Sequence, residues 1–206
     1  MIKPNFNPKN IEISKTANLP TRFGNFKICV YKELINNTIK EHAAIFSTDL
    51  AKRIENNENI NVRIHSECLT GDGFGSLKCD CGEQLVYALN FIAQNGGLLI
   101  YLRQEGRNIG LFNKINAYEL QDQGADTIQA NHQLGFGADE RSYEIADFIL
   151  KNFGIKNINL ITNNPAKLNA LKSAHIIARI PIQIKANKYD KNYLRIKKEQ
   201  MGHLLD

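Results

Sequence analysis

Apolar and polar positions alternate from Ile60 to His65, with Ile60, Val62 and Ile64 set against Asn61 and Arg63, the period-two signature of a strand that buries one face. Similar short runs at Ile11 to Ser14, Asn25 to Tyr31 and Glu41 to Phe46 predict a strand-rich N-terminal part, with turn signals at Asn18-Leu19-Pro20 and Asn36-Asn37. After Cys81 the period becomes helical: Leu85, Leu89 and Ile92 recur on one face, Ala88 and Phe91 widen it, and Asn95-Gly96-Gly97 ends it. Gly97 to Leu102 is a continuous apolar run, which suits a buried parallel strand. Leu111, Ile115, Tyr118 and Leu120 predict a further helix closed by Gly124, and 126–137 reads as polar and irregular. Asp139 is placed to N-cap a helix carrying Ile145, Phe148 and Ile149, with Arg141 in its first turn, where the dipole does not favour a cation. Ile158 to Ile161 predicts a strand, Thr162-Asn163-Asn164-Pro165 a turn into a helix bearing Lys167, and Ile176 to Ile184 an edge strand interrupted by Pro181. The tail from Lys191 to Asp206 is a basic helix candidate suited to packing on a partner subunit. Together these elements predict a mixed α/β (α+β) fold with a central mixed sheet flanked by helices, and with no linker or repeat they predict one domain over 1–206.

Composition narrows the function classes. The chain has 206 residues, 43% hydrophobic and 23% charged, ordinary for a globular protein with a substantial core. The first twenty residues are polar and no apolar run approaches membrane-spanning length, so the reading is cytoplasmic, with no membrane partner and with cysteines kept reduced. A net charge of +5 and a pI near 9.0 suggest an anionic partner, either nucleic acid or a phosphorylated small molecule. Without tryptophan, with 8% aromatic content and with dispersed basic residues, the nucleic-acid reading is the weaker.

The chemistry concentrates in one stretch. Three of the four cysteines, Cys68, Cys79 and Cys81, fall around a glycine-rich run from Gly71 to Gly75, so a loop can fold three soft thiolates onto one ion, zinc first. His65 or Cys29 could fill a fourth position and make the site structural, or the position could stay open for catalysis. Cys29 itself lies in an apolar strand and reads as a buried free thiol. Arg103 to Gly110 follows a buried strand with two arginines, a carboxylate, amides and two glycines, the place of a ligand-binding loop in an α/β sheet. The turn before Pro165 with Lys167 suits phosphate, and periodicity alone makes Tyr118 a packing residue.

Several ordered runs then carry a resemblance: Arg63-Ile-His-Ser-Glu-Cys-Leu-Thr-Gly-Asp72, Ser76-Leu-Lys-Cys-Asp-Cys-Gly82, Arg103-Gln-Glu-Gly-Arg-Asn-Ile-Gly-Leu111, Asn131-His-Gln-Leu-Gly135, Ala138-Asp-Glu-Arg141, Thr162-Asn-Asn-Pro165 and Met201-Gly-His-Leu-Leu205. They resemble GTP cyclohydrolase II over nearly the whole chain. The resemblance implies conversion of GTP to a diaminopyrimidine ribosylamino phosphate with release of formate and pyrophosphate, the opening step of riboflavin biosynthesis. It implies one catalytic zinc per subunit on Cys68, Cys79 and Cys81, with water in the fourth position attacking carbon 8 of guanine, and magnesium on the triphosphate. It makes Tyr118 a participant in the ring chemistry, Asp139 a proton acceptor and Arg141 a nucleophile toward the α-phosphate. Arginine stays charged to a pKa above about 12, so electrostatic stabilisation is a rival role for Arg141. Substrate contacts carry over onto Arg63, Ile64, His65, Ser66, Glu67, Gln84, Glu105, Gly106, Arg107, Thr127, Thr162 and Lys167. Lys78 departs from the arginine of many relatives, and only arginine grips phosphate bidentately. The length implies the single-function form, as a homodimer. Two other readings stand beside this one: a formamide-retaining cyclohydrolase, against which Tyr118 argues, and a zinc-supported nucleic-acid-binding module.

Overall fold

A computed structural model of the chain describes residues 6–205. Eight strands form one mixed sheet: β1 (Ile11–Ile13), β2 (Ala17–Thr21), β3 (Gly24–Ile35), β4 (Thr38–Ser47), β5 (Ile60–Ser66), β6 (Leu98–Leu102), β7 (Asn157–Ile161) and β8 (His175–Ile180). Their order is β1-β3-β4-β6-β5-β7-β8, with β2 also paired to β3. Asn36 and Asn37 have φ of 46° and 60° between the paired Ile35 and Thr38, the two-residue hairpin geometry that asparagine tolerates and that matches strand twist. The helices are α1 (Leu50–Glu55), α2 (Cys81–Asn95), the short turn α3 (Glu105–Asn108), α4 (Gly110–Asp122), α5 (Thr127–Gln133), α6 (Glu144–Asn152), α7 (Pro165–Ala170) and α8 (Lys191–Glu199).

The mixed α/β expectation holds, and several local ones are corrected. Asn18-Leu19-Pro20 is not a turn but lies in β2, pairing antiparallel with Asn25 to Lys27. β2 has a partner on one side only, where a proline without an N–H is tolerated. The run at 97–102 is not a purely parallel strand: β6 runs antiparallel to β4. Its Leu98, Leu99, Ile100 and Leu102 are all buried, and burial on both faces makes a strand apolar whatever its direction. The segment after Asp126 is a helix, α5, because Asp126 and Gln129 form a reciprocal capping box. Asp139 caps no helix; α6 begins at Glu144, and Arg141 lies in the loop before it rather than in a first turn. β8 ends before Pro181 at the sheet edge, as expected of that run. Of the tail, Lys191–Glu199 is helical, and Asp206 lies outside the described residues.

The chain divides into two compact units. One comprises the residues up to His65, Val86–Leu102 and Tyr143–Ile182. It contains the sheet and a core in which Val62, Ile64, Leu98, Ile100, Leu102, Ile158 and Leu160 meet Ile145, Ala146, Ile149 and Leu150 of α6. The other comprises Ser66–Leu85, Arg103–Ser142 and the residues from Gln183 onward. In this second unit α4 has helical period but is turned toward an adjoining face: Lys114 and Ala117 are buried, whereas Leu111, Phe112 and Ile115 are exposed. Among the described residues no helix is long and apolar enough to cross a membrane.

Candidate metal centre and substrate site

Just past the end of β5, the chain turns at Cys68 into a single wide helical turn, Leu69–Gly73. Asp72 closes this turn from both directions: its carboxylate accepts from Cys68 N at 3.0 Å, and its own N–H donates to the Cys68 carbonyl at 2.6 Å. Gly71 is packed where a Cβ would stand 3.1 Å from Cys79 Sγ and 3.2 Å from Cys68 Sγ. A Cβ on Gly82 would collide with the Gly71 carbonyl, so two glycines let the turn close onto the start of α2. The result is one cluster, with the sulfur atoms of Cys68, Cys79 and Cys81 all within 4.8 Å of one another. The Cys68 to Cys79 separation is 3.6 Å. A tetrahedral centre with metal–sulfur bonds of about 2.3 Å has edges of about 3.8 Å, so the donors fit zinc in spacing and in chemistry. Neither His65 nor Cys29 belongs to the cluster. Hydrogen bonds from Cys79 and Cys81, and then the Lys114 cation, hold the Cys68 thiol far below its usual range. Cys79, as donor to Cys68, is pushed up to about 11.

Around the cluster lie residues that sequence reasoning did not single out. Lys114 is buried and donates to Cys68 Sγ at 3.1 Å, Thr70 Oγ1 at 2.8 Å and Glu105 Oε1 at 2.8 Å. Thr70 meets the Tyr118 hydroxyl at 3.3 Å, so Tyr118 is tied by its hydroxyl to the turn that carries Cys68. Burial raises the Tyr118 pKa, and the phenol keeps its proton at neutral pH. Between the second and third cysteines, Asp80 is buried, accepts from Gln84, and pairs with Lys197 of α8 at 2.6 Å. One signal for Lys114 was available: it stands four residues before Tyr118, on the same helix face. Lys78, the departure noted above, lies over the Tyr118 ring at 4.9 Å and pairs with Asp122 at 2.6 Å.

The expected ligand loop is built with unusual backbone. Gly106, Arg107 and Asn108 have φ of 60°, 59° and 74°, left-handed values that cost a non-glycine residue roughly 1 kcal/mol or more. Asn108 Nδ2 donates to the Glu140 carbonyl, Glu140 N to the Arg107 carbonyl, and Arg107 Nη1 to the Ala138 carbonyl, which joins this loop to 138–141. Arg107 Nη2 is buried without a protein acceptor, a donor suited to an anion. Asp139 accepts from the Arg141 backbone N–H at 3.1 Å and from its guanidinium Nε at 2.8 Å and Nη2. Burial alone would raise the Asp139 carboxyl, but these bonds hold it below its usual value. Glu105 is engaged through both oxygens: Oε1 accepts from Gly106 N and Lys114, and Oε2 from Leu69 N. Glu67 pairs with Arg103 at 2.9 Å, and burial raises its carboxyl.

The residues expected from the sequence fall into two sets, one in each unit. Ser66, Glu67, the three cysteines, Gln84, Glu105, Gly106, Arg107, Tyr118, Thr127, Asp139 and Arg141 belong to the second, with Thr127 opening α5. Arg63, Ile64, His65, Thr162 and Lys167 belong to the first, where the parallel pairing of β5 and β7 gathers them. There Arg63 donates to the Ile161 carbonyl at 3.0 Å and Lys167 to the Ile64 carbonyl at 2.8 Å. His65 stacks on Tyr101, and Thr162 Oγ1 accepts from Asn164 N at 3.0 Å.

Comparison with known proteins gives consistent matches. A family model described as GTP cyclohydrolase II matches residues 12–181. A GTP cyclohydrolase-2 of Campylobacter fetus is 63% identical over 94% of this chain and 95% of that protein. Those of Campylobacter hominis and Helicobacter pylori are 61% and 52% identical, each over 96% of this chain and over 97% and 100% of the relative. A crystal structure of RibBX, a two-domain 3,4-dihydroxy-2-butanone 4-phosphate synthase from A. baumannii, aligns with 87% of this chain and 42% of that one, with a TM-score of 0.45 and 18% identity.

Proposed function

Because the chain belongs to the GTP cyclohydrolase II family, we propose that it hydrolyses GTP to a diaminopyrimidine ribosylamino phosphate, formate and pyrophosphate, the step that opens riboflavin biosynthesis. The observation that carries this reading is the three-sulfur cluster whose turn also holds Tyr118 through Thr70. Cys68, Cys79 and Cys81 would hold one zinc, leaving a fourth position open. When bound, zinc supplies Lewis acidity and a water acidified to near neutrality. Tyr118, protonated at neutral pH, is positioned as the hydroxyl that hands a proton to the nitrogen released when the ring opens at carbon 8. A second hydrolysis then expels that carbon as formate. Retention of this hydroxyl beside the cluster favours the full reaction over a formamide-retaining one.

On the phosphate side, Arg141 forms a forked ion pair with Asp139, which keeps the guanidinium charged and unable to attack phosphorus. We assign it electrostatic stabilisation as pyrophosphate leaves, with Arg107 as a second cation and Asp139 orienting the guanidinium. Magnesium accompanies the triphosphate and neutralises the leaving pyrophosphate. Arg63, Ile64, His65, Ser66, Glu67, Gln84, Glu105, Gly106, Arg107, Thr127, Thr162 and Lys167 make up the substrate-binding set on this reading. The family match includes segments of both compact units, which supports 1–206 as one functional domain. A homodimer would cover the exposed Leu111, Phe112 and Ile115 of α4, and reduced thiols for zinc suit the cytoplasm. Cys68→Ser is expected to lose zinc and stop formate release together; normal formate release from the metal-free variant would overturn the zinc role.

A further inference from the structure

Lys114 has no assigned part in this chemistry, yet its hydrogen-bond arithmetic is complete. An ammonium has three donors, and here they are spent on three acceptors: Cys68 Sγ at 3.1 Å, Thr70 Oγ1 at 2.8 Å and Glu105 Oε1 at 2.8 Å. Each acceptor leads to a different part of the site. Cys68 is a candidate metal ligand, Glu105 accepts from Leu69 N at 2.6 Å and so grips the metal turn, and Thr70 leads to Tyr118. Because Thr70 Oγ1 accepts from Lys114, its own hydrogen is available to a neighbour, either Cys68 Sγ at 3.7 Å or Tyr118 Oη at 3.3 Å, so the lysine orients a hydroxyl that stands between the sulfur and the phenol.

We propose that Lys114 is a positioning residue that couples the metal centre to the proton-donating tyrosine: it fixes Cys68 Sγ, drains electron density from that thiolate, and holds the Thr70 hydroxyl that meets Tyr118. The inference rests on the reading of Cys68, Cys79 and Cys81 as a metal site. A lysine paired only with Glu105 for folding would leave both the sulfur and the tyrosine indifferent to its charge. A cation donating to a thiolate lowers the energy of the sulfur lone pairs, so removing it makes sulfur a better electron donor to a metal.

The test uses cobalt as a spectroscopic substitute for zinc, in the parent and in Lys114→Gln and Lys114→Arg. Glutamine keeps a donor for Glu105 or Thr70 but loses the charge, and arginine keeps the charge. In the parent the sulfur-to-cobalt charge-transfer band reports thiolate ligation; its absence would overturn the metal reading itself, and this inference with it. With the band present, Lys114→Gln is expected to shift it to longer wavelength. Formate release at saturating GTP should fall about 10–100-fold, with KM for GTP little changed. Lys114→Arg should restore the band toward the parent position. A Lys114→Gln band that coincides with the parent's, or an equal shift in both variants, would overturn the proposal and leave Lys114 a packing residue.

Discussion

Removing the cation of Lys197 tests whether the C-terminal helix holds the cysteine loop. Lys197 Nζ lies 2.6 Å from Asp80 Oδ1, with side-chain exposures of only 11% and 3%, and Asp80 sits between Cys79 and Cys81. Lys197→Met keeps the aliphatic length beside Tyr193 but leaves the Asp80 carboxylate buried, with Gln84 as its remaining side-chain donor. Breaking a buried pair from one side costs about 3–5 kcal/mol, because the surviving charge loses its partner and stays out of water. For a chain of this size each kcal/mol moves Tm by about 2–4 °C, so the fall should be about 6–20 °C. Asp80→Asn alone should destabilise in the same direction by stranding the ammonium. The double variant should cost less than the sum of the two singles by about 0.5–3 kcal/mol, since it removes both charges. Urea unfolding of the four proteins, metal-free and zinc-loaded, gives these terms. A Lys197→Met protein within about 1 kcal/mol of the parent, or a strictly additive double variant, would refute the reasoning, since a pair this buried falls outside the near-neutral range of exposed ion pairs.

Other consequences follow from single residues. Gly71→Ala would bring a Cβ within 3.1–3.2 Å of two candidate ligand sulfurs, and the overpacking should cost about 1–3 kcal/mol and speed zinc loss to a chelator; unchanged zinc retention would argue against the turn's closeness. Asp139 has its folded pKa depressed, so its pair with Arg141 contributes stability that is present above the unfolded value near 4 and lost as pH falls through the lower folded value. Below about pH 4 the parent should therefore lose stability more steeply than Asp139→Asn, as measured by unfolding at a series of acid pH values; parallel profiles would contradict the assignment.

Much of the sheet and the clustering of Cys68, Cys79 and Cys81 could be read from the sequence, because both depend on local pattern. Ile60 to His65 alternates since one strand buries one face, and three cysteines within one loop are close wherever that loop folds. What escaped depends on partners remote in sequence. Pro20 reads as a turn until its strand is seen to have one neighbour only. Leu111 and Ile115 announce a helix correctly but point outward, because the inward face of α4 is chosen by the demand of Glu105 and Cys68 for a cation. Asp139 looks like a cap beside a helical pattern, yet Arg141, two residues away, competes for its carboxylate. Lys114 and Lys197 did not stand out because a lysine on a helix is usually solvated, and only packing reveals that these two are buried against anions.

The central claim is tested most directly by one incubation of the zinc-loaded protein with GTP and magnesium, with formate, pyrophosphate and the nucleotide product followed by mass. Equal amounts of formate and pyrophosphate, with a product that has lost the ring carbon, are the predicted result. Pyrophosphate without formate, or neither from folded and metal-loaded protein, would contradict the account.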